Sequence, residues 1–201
     1  MLFDKTYGII ILAAGNSSRL GKPKQLLHYG STTLLRNVVD ESLKVPDAVV
    51  AVITGAFSDL VEKELADKPV CIYHNSDWST GMASSIRTGI RELTAYYPAL
   101  EAIIITVCDQ PFLDAGILNG LLKEFETSYK GIVASSYGET TGTLALFSKN
   151  YFEELMQLGE QQGAKKLILA YPEDTATVPF PRGETDIDTD ADYQQLQGSG
   201  S

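Results

Sequence analysis

Tyr7-Gly8-Ile9-Ile10-Ile11-Leu12-Ala13-Ala14-Gly15-Asn16-Ser17-Ser18-Arg19-Leu20-Gly21-Lys22-Pro23-Lys24-Gln25 is an apolar run that opens directly into small and basic residues. The first part, 7–12, has the length and composition of a strand buried on both faces. Ala13, Ala14 and Gly15 carry almost no side-chain bulk, so a ligand can come close to the backbone N–H groups that follow Leu12. Ser17 and Ser18 add hydroxyls. Arg19 supplies a planar cationic fork and Lys24 a mobile point charge. The combination suits a triphosphate. Neither the Gly-x-Gly-x-x-Gly spacing of dinucleotide-binding loops nor the Gly-x-x-x-x-Gly-Lys-Ser/Thr spacing of P-loops occurs here.

Apolar runs recur at 48–54, 70–73, 102–107, 131–135 and 143–147, and each has strand character. Helical periodicity lies between them, at 34–43, 58–66, 83–93 and 115–128. Asp114 stands where the last of these needs an N-cap. Such alternation predicts an α/β, Rossmann-like three-layer fold with a mostly parallel central sheet. Ligands of these folds bind beyond the carboxyl ends of the strands, where the 13–24 loop falls. No repeat or linker divides the chain, so residues 1–197 are expected to form one domain and 198–201 a flexible tail.

A second constellation, Cys108-Asp109-Gln110-Pro111, follows the apolar run 102–107. A carboxylate at the end of a central strand can hold Mg²⁺ against a triphosphate, and Pro111 stops the strand and aims Asp109 outward. Alone, Asp109 serves equally well as a turn cap; beside the first loop, the metal role is preferred. Near the end of the chain stands Asp186-Ile187-Asp188-Thr189-Asp190-Ala191-Asp192-Tyr193. Here Asp190 and Asp192 suit a helix N-terminus, with Thr189 or Asp190 as N-cap. In the segment Asn75 to Ser85, Gly81 permits close backbone approach. Ser84 and Ser85 either initiate a helix or meet a polar ligand, and Trp78 is expected to anchor packing.

The 201 residues suit one substantial core, with 44% hydrophobic and 21% charged residues. A net charge of −10 opposes general nucleic-acid binding, which needs a basic face, but leaves nucleotide binding open. Cys71 and Cys108 lack metal-ligand spacing and are expected to be reduced, buried thiols, which fits a cytoplasmic protein. No run is long and apolar enough for a spanning helix, so no membrane partner is expected. The start, Met1 to Lys5, leaves no room for a secretory leader before the first strand. His28 and His74 have no metal-ligand spacing, and Ser17 and Ser18 have no His-Asp partner for nucleophilic work.

The string Leu12-Ala13-Ala14-Gly15…Arg19-x-Gly21…Pro23-Lys24 resembles the first loop of MobA-like nucleotidyltransferases, in the branch containing the molybdenum cofactor cytidylyltransferases. Asp109-Gln110-Pro111, Asn75-x-x-Trp78-x-x-Gly81-x-x-x-Ser85 and Asp186-Ile187-Asp188-Thr189 resemble later segments of that branch. The likeness extends over essentially the whole chain. It implies a nucleotidyltransferase that moves a nucleoside monophosphate from CTP to molybdopterin, releases pyrophosphate, and has a molybdoenzyme as possible recipient of the product. It also implies Mg²⁺ on Asp109 and Asp188, with Arg19 and Lys24 on the phosphates. Leu12, Ala13, Ala14, Gly15, Asn75, Gly81, Ser84 and Ser85 are then nucleotide contacts. Relatives that use GTP share most of these motifs but have a Leu-Ala-Gly-Gly loop. The alternatives are a cytidylyl- or guanylyltransferase with another acceptor (isoprenoid or sugar phosphate), or a non-catalytic nucleotide-binding accessory of a molybdoenzyme. Two segments depart from the pattern. Gly159 to Lys166 carries an extra residue, which leaves Lys165 without an assigned role, and Thr141-Gly142-Thr143 stands where relatives often have a proline.

Overall fold

The computed structural model describes residues 6–138, 140–160 and 162–198. Its elements are β1 (Tyr7–Leu12), β2 (His28–Tyr29), β3 (Thr32–Thr33), α1 (Leu34–Ser42), β4 (Ala48–Thr54), α2 (Ser58–Glu64), β5 (Cys71–His74) and α3 (Met82–Tyr96). They continue with β6 (Ala102–Val107), α4 (Ala115–Ser128), β7 (Ile132–Tyr137), β8 (Thr140–Ser148), α5 (Phe152–Met156), α6 (Lys165–Ala170), β9 (Thr175–Pro179) and α7 (Asp190–Gly198). Seven strands form one sheet in the order β5-β4-β1-β6-β8-β7-β9, and only β8 runs against its neighbours. Gly198, expected in a tail, closes α7, while 199–201 and residues 1–5, on which the leader expectation falls, lie outside the described residues.

The central strands are apolar at nearly every position, Thr54 and Thr106 excepted, because helices cover both faces. Ile10, Ile53 and Ile105 pack with Ile86, Ile90 and Leu93 of α3 and with Leu155 of α5. Ile9, Ile11, Val52 and Ile104 face the other way, onto α1, α2 and α4 through Leu35, Val61 and Leu121. Three layers result, as the sequence predicts. Local signals fix the helix starts: the Asp114 carboxylate accepts from the Ile117 N–H (2.9 Å), and Thr33 Oγ1 from the Arg36 N–H (3.2 Å). Among the described residues no helix is long and apolar enough to cross a membrane.

A third, smaller apolar cluster positions the functional end. Leu20 and Leu27 of the first loop, Leu34 of α1, Ile187 and Leu196 of α7 are all buried together. This joins the loop after β1 to the aspartate-rich segment more than 160 residues later. The segment ends in a reciprocal cap, in which Thr189 Oγ1 accepts from the Asp192 N–H (3.2 Å) and the Asp192 carboxylate accepts from the Thr189 N–H (2.7 Å). Asp192 is therefore a capping residue, its carboxyl held below the usual range first by the Thr189 hydroxyl.

At the opposite end of the sheet, the Tyr151 hydroxyl (2.6 Å) and the Gly131 N–H (3.0 Å) both donate to Asp174, tying β9 to β7. The Tyr151 hydroxyl, then the Gly131 amide, keep the Asp174 carboxyl below its ordinary value. A depressed carboxyl contributes stability that is complete above its unfolded pKa, about 3.9, and is lost as pH falls through the lower folded value. Asp174→Asn should therefore cost about 1–2 kcal/mol at neutral pH, allowing for solvent screening. Urea unfolding at a series of pH values should show that difference shrinking below about pH 4.

Candidate active site

β1 and β6 are neighbours whose ends, Leu12 and Val107, stand side by side. The loops that follow them are therefore adjacent, and this places Gly15 and Asp109 at one mouth. A cavity of about 450 Å³ opens there. Leu12, Ala14, Gly15, Lys24 and Asp109 line one side, and Trp78, Gly81, Met82 and Ser85 line the other. Gly81, at φ +127°, turns the chain into α3, so the first turn of a fifteen-residue helix points at the cavity. The positive end of the helix dipole favours anionic or hydrogen-bond-accepting ligand atoms there.

The first loop is held from beneath. The Gln25 side-chain amide, almost wholly buried, donates to the carbonyls of Ala13 (3.0 Å) and Gly15 (2.8 Å). Ser17 takes a left-handed conformation at φ +50°, and its Oγ accepts from the Lys24 N–H (3.1 Å). That hydroxyl braces the loop. The Ala13 N–H is also engaged, donating to the Ile53 carbonyl (2.9 Å), and the Ala13 side chain lies in the core beneath.

Lys24 is the centre of the charged part. Its Nζ donates to Asp109 Oδ2 and to Asp188 Oδ1 (3.1 Å), so one ammonium bridges two carboxylates. Arg19, with its side chain 71% exposed, pairs with the other Asp188 oxygen at 2.8 Å. Burial opposes the Lys24 charge, but the adjacent Asp109 carboxylate outweighs it and holds the ammonium above the usual lysine range. Asp186 completes the group. Desolvation, then the Asp109 and Asp188 charges, lift its carboxyl above the ordinary value. Asp109 Oδ1 is buried and has no protein partner. The adjoining Cys108 thiol is pushed up to about 12 by burial and then by the Asp109 charge, so it stays protonated and unreactive. Both cysteines are free, as expected, but only Cys108 is buried; Cys71 opens the edge strand β5 and is partly exposed.

Of the residues singled out from the sequence, Leu12, Ala14, Gly15, Lys24, Gly81, Ser85 and Asp109 line the cavity, and Arg19 and Asp188 stand at its charged rim. Ala13, Asn75 and Ser84 do not line it. Asn75 is buried behind the wall, where its amide donates to the hydroxyls of Ser84 (2.8 Å) and Ser85 (3.0 Å). Ser84 Oγ donates in turn to the Asp77 carbonyl (3.0 Å). These two shape the α3 start rather than face the cavity. Trp78 both packs and lines: a Cβ on Gly55 would lie 2.6 Å from Trp78 Cβ and 2.6 Å from the Ala14 carbonyl oxygen. Sequence reasoning did not find Gln25, Met82 or Asp186. Asp186 had a signal, its place two residues before Asp188; Gln25 had only its position after Lys24.

The sequence model of the MobA-like NTP transferase domain matches residues 9–175. The chain belongs to that family. Among its relatives is the molybdenum cofactor cytidylyltransferase of Escherichia coli, 23% identical over 92% of both chains. Another is a nicotine blue oxidoreductase of Paenarthrobacter nicotinovorans, 33% identical over 56% of this chain. That match spans 54% of the oxidoreductase's length, and a bifunctional GlmU protein is matched over 25% of its length. The structure of Rv0371c from Mycobacterium tuberculosis is similar at a TM-score of 0.82, with 26% identity over 97% of this chain and 99% of that one. The family's fold is thus present throughout the described sheet.

Removing the bridging ammonium leaves Asp109, Asp186 and Asp188 facing each other. Lys24→Met should cost about 2–4 kcal/mol, a drop in melting temperature of about 5–10 °C. Added Mg²⁺ should restore more of that loss in the variant than it adds to the wild type. Calorimetric melts with and without the cation read both effects.

Proposed function

We propose that the protein is a divalent-metal-dependent nucleotidyltransferase that moves a nucleoside monophosphate from an NTP to a phosphorylated acceptor and releases pyrophosphate. The observation that carries this is the bridge from Lys24 to Asp109 and Asp188 at the mouth of a nucleotide-sized cavity. In the finer form the donor is CTP and the acceptor molybdopterin; the protein works in the cytoplasm as one domain over residues 1–197, and a molybdoenzyme receives the product. Full-length similarity to a molybdenum cofactor cytidylyltransferase supports that form.

The donor set suits a hard cation. Two carboxylates already share one positive charge, and Asp109 keeps a buried oxygen without a partner. Mg²⁺ takes one or two carboxylates and completes its shell with phosphate oxygens and water. Asp109 and Asp188 would hold it, and when bound it would neutralise triphosphate charge and align the α-phosphate with the attacking oxygen. Rv0371c has also been solved as a complex with manganese, which is in keeping with such a cation.

The chain's own residues then position and neutralise. The loop from Leu12 to Gly15 and the start of α3, around Gly81 and Ser85, enclose the nucleoside from two sides. Asn75 and Ser84 contribute from behind the wall. Once the carboxylates have another cation, Lys24 and Arg19 are free to meet the triphosphate and the departing pyrophosphate. An acceptor phosphate oxygen forms a bond to the α-phosphorus as the bond to the β-bridging oxygen breaks, and pyrophosphate carries away that electron pair. No protein nucleophile takes part, so orientation and charge stabilisation supply the acceleration.

Incubation with Mg²⁺, molybdopterin and each NTP in turn should release pyrophosphate fastest with CTP. Asp109→Ala should cut that rate by about a hundredfold or more while the far-ultraviolet circular dichroism stays native. Near-normal turnover of the variant refutes the metal assignment. Tight NTP binding without pyrophosphate from any phosphorylated acceptor identifies a nucleotide-binding accessory instead.

A further inference from the structure

Asp188 reaches the site on an irregular segment, 180–189, that follows β9. Two buried side chains anchor its ends: Phe180, whose N–H donates to the Ser136 carbonyl (2.8 Å), and Ile187 in the small apolar cluster. Between them the chain makes a turn in which Arg182 adopts φ +68° and the Gly183 N–H donates to the Phe180 carbonyl (2.9 Å). The turn is tied to the end of β6 at two points. Gln110 Nε2 donates to the Gly183 carbonyl (3.1 Å), and the Arg182 guanidinium lies 3.2 Å from the centre of the Phe112 ring. Gln110 and Phe112 flank Pro111, directly after Asp109.

We propose that Gln110 is a positioning residue: its amide, bonded to the Gly183 carbonyl, holds the 180–189 segment so that Asp188 stands opposite Asp109. The hydrogen-bond pattern argues for geometry over stability. Gln110 is 3% exposed, yet only its NH₂ end has a partner and its Oε1 is buried without one. A buried polar group left half-satisfied costs more than an apolar side chain of the same shape. What the glutamine supplies and an apolar residue does not is a directional tie to one carbonyl. That carbonyl is itself fixed in place, because a Cβ on Gly183 would lie 2.6 Å from Phe180 Cδ1 and 2.8 Å from Tyr137 Cδ1. The tie therefore passes any shift of the β6 end to the chain carrying Asp188.

The inference rests on the metal-dependent reading of Asp109 and Asp188, and direct Mn²⁺ binding separates the two. Titration of the full chain with Mn²⁺, with free ion followed by electron paramagnetic resonance, should give binding that Asp188→Ala weakens. Absence of any Mn²⁺ binding by the wild type overturns the metal reading itself. Gln110→Met should weaken Mn²⁺ binding about tenfold, as loss of a supporting contact does at metal sites. In the Asp188→Ala background the same change should add nothing, because the carboxylate it positions is gone. A folded Gln110→Met protein with wild-type Mn²⁺ affinity overturns the proposal, and so does an equal further loss in the Asp188→Ala background. If Gln110→Met does not fold, Gln110→Asn keeps the amide but loses its reach, and unchanged Mn²⁺ affinity in that variant is equally fatal.

Discussion

The contact on which the functional end depends is the ammonium of Lys24 between the carboxylates of Asp109 and Asp188. It brings together the loop after β1, the end of β6 and the segment before α7. Two carboxylates with side chains only 11% and 28% exposed would repel at this separation, and the neighbouring Asp186 adds to the repulsion. The ammonium between them offsets that repulsion. Under the proposed function, a divalent ion held by Asp109 and Asp188 would supply that positive charge instead and leave the ammonium available for phosphate.

Apolar packing supports that charged contact from below. Leu20, Leu27, Leu34, Ile187 and Leu196 meet in one cluster, placing two distant acidic and basic segments at a common edge. Gln25 does comparable work by hydrogen bonding, closing the loop over the carbonyls of Ala13 and Gly15. Rigidity in the loop and proximity in the segment thus come from different forces. The first is directional and buried; the second is hydrophobic and tolerant of small shifts, which is why Gln110 has a role in fixing the final position of Asp188.

The sheet and its principal residues were legible because their signals are local. Strands β1, β4 and β6 and helix α4 coincide with the expected ranges, since uninterrupted apolar runs and a capping aspartate leave little choice. The reversal of β8 was not legible. Its first residues, Thr140 to Thr143, are polar and small, so the run appeared to start late and concealed a tight hairpin. Helices α5 and α6, with five and six residues, are shorter than the periodicity needed to reveal them. β9 is a half-exposed edge strand with little apolar content. At the site, Lys24, Arg19 and Asp109 announced themselves by type, whereas Gln110 acts on a carbonyl 73 residues away and Gln25 on backbone carbonyls of its own loop, and spacing carries no record of either contact.

The small apolar cluster also makes the two ends of the chain depend on each other. Every strand of the sheet and the first loop lie before residue 180, but Ile187, Asp188 and Leu196 do not. Cut after Phe180, the chain would keep the residues of both large cores, while Leu20, Leu27 and Leu34 would lose part of their cover and the loop one of its two carboxylate partners. A protease nicking that segment would therefore strip the charged centre and leave the sheet its full set of core side chains.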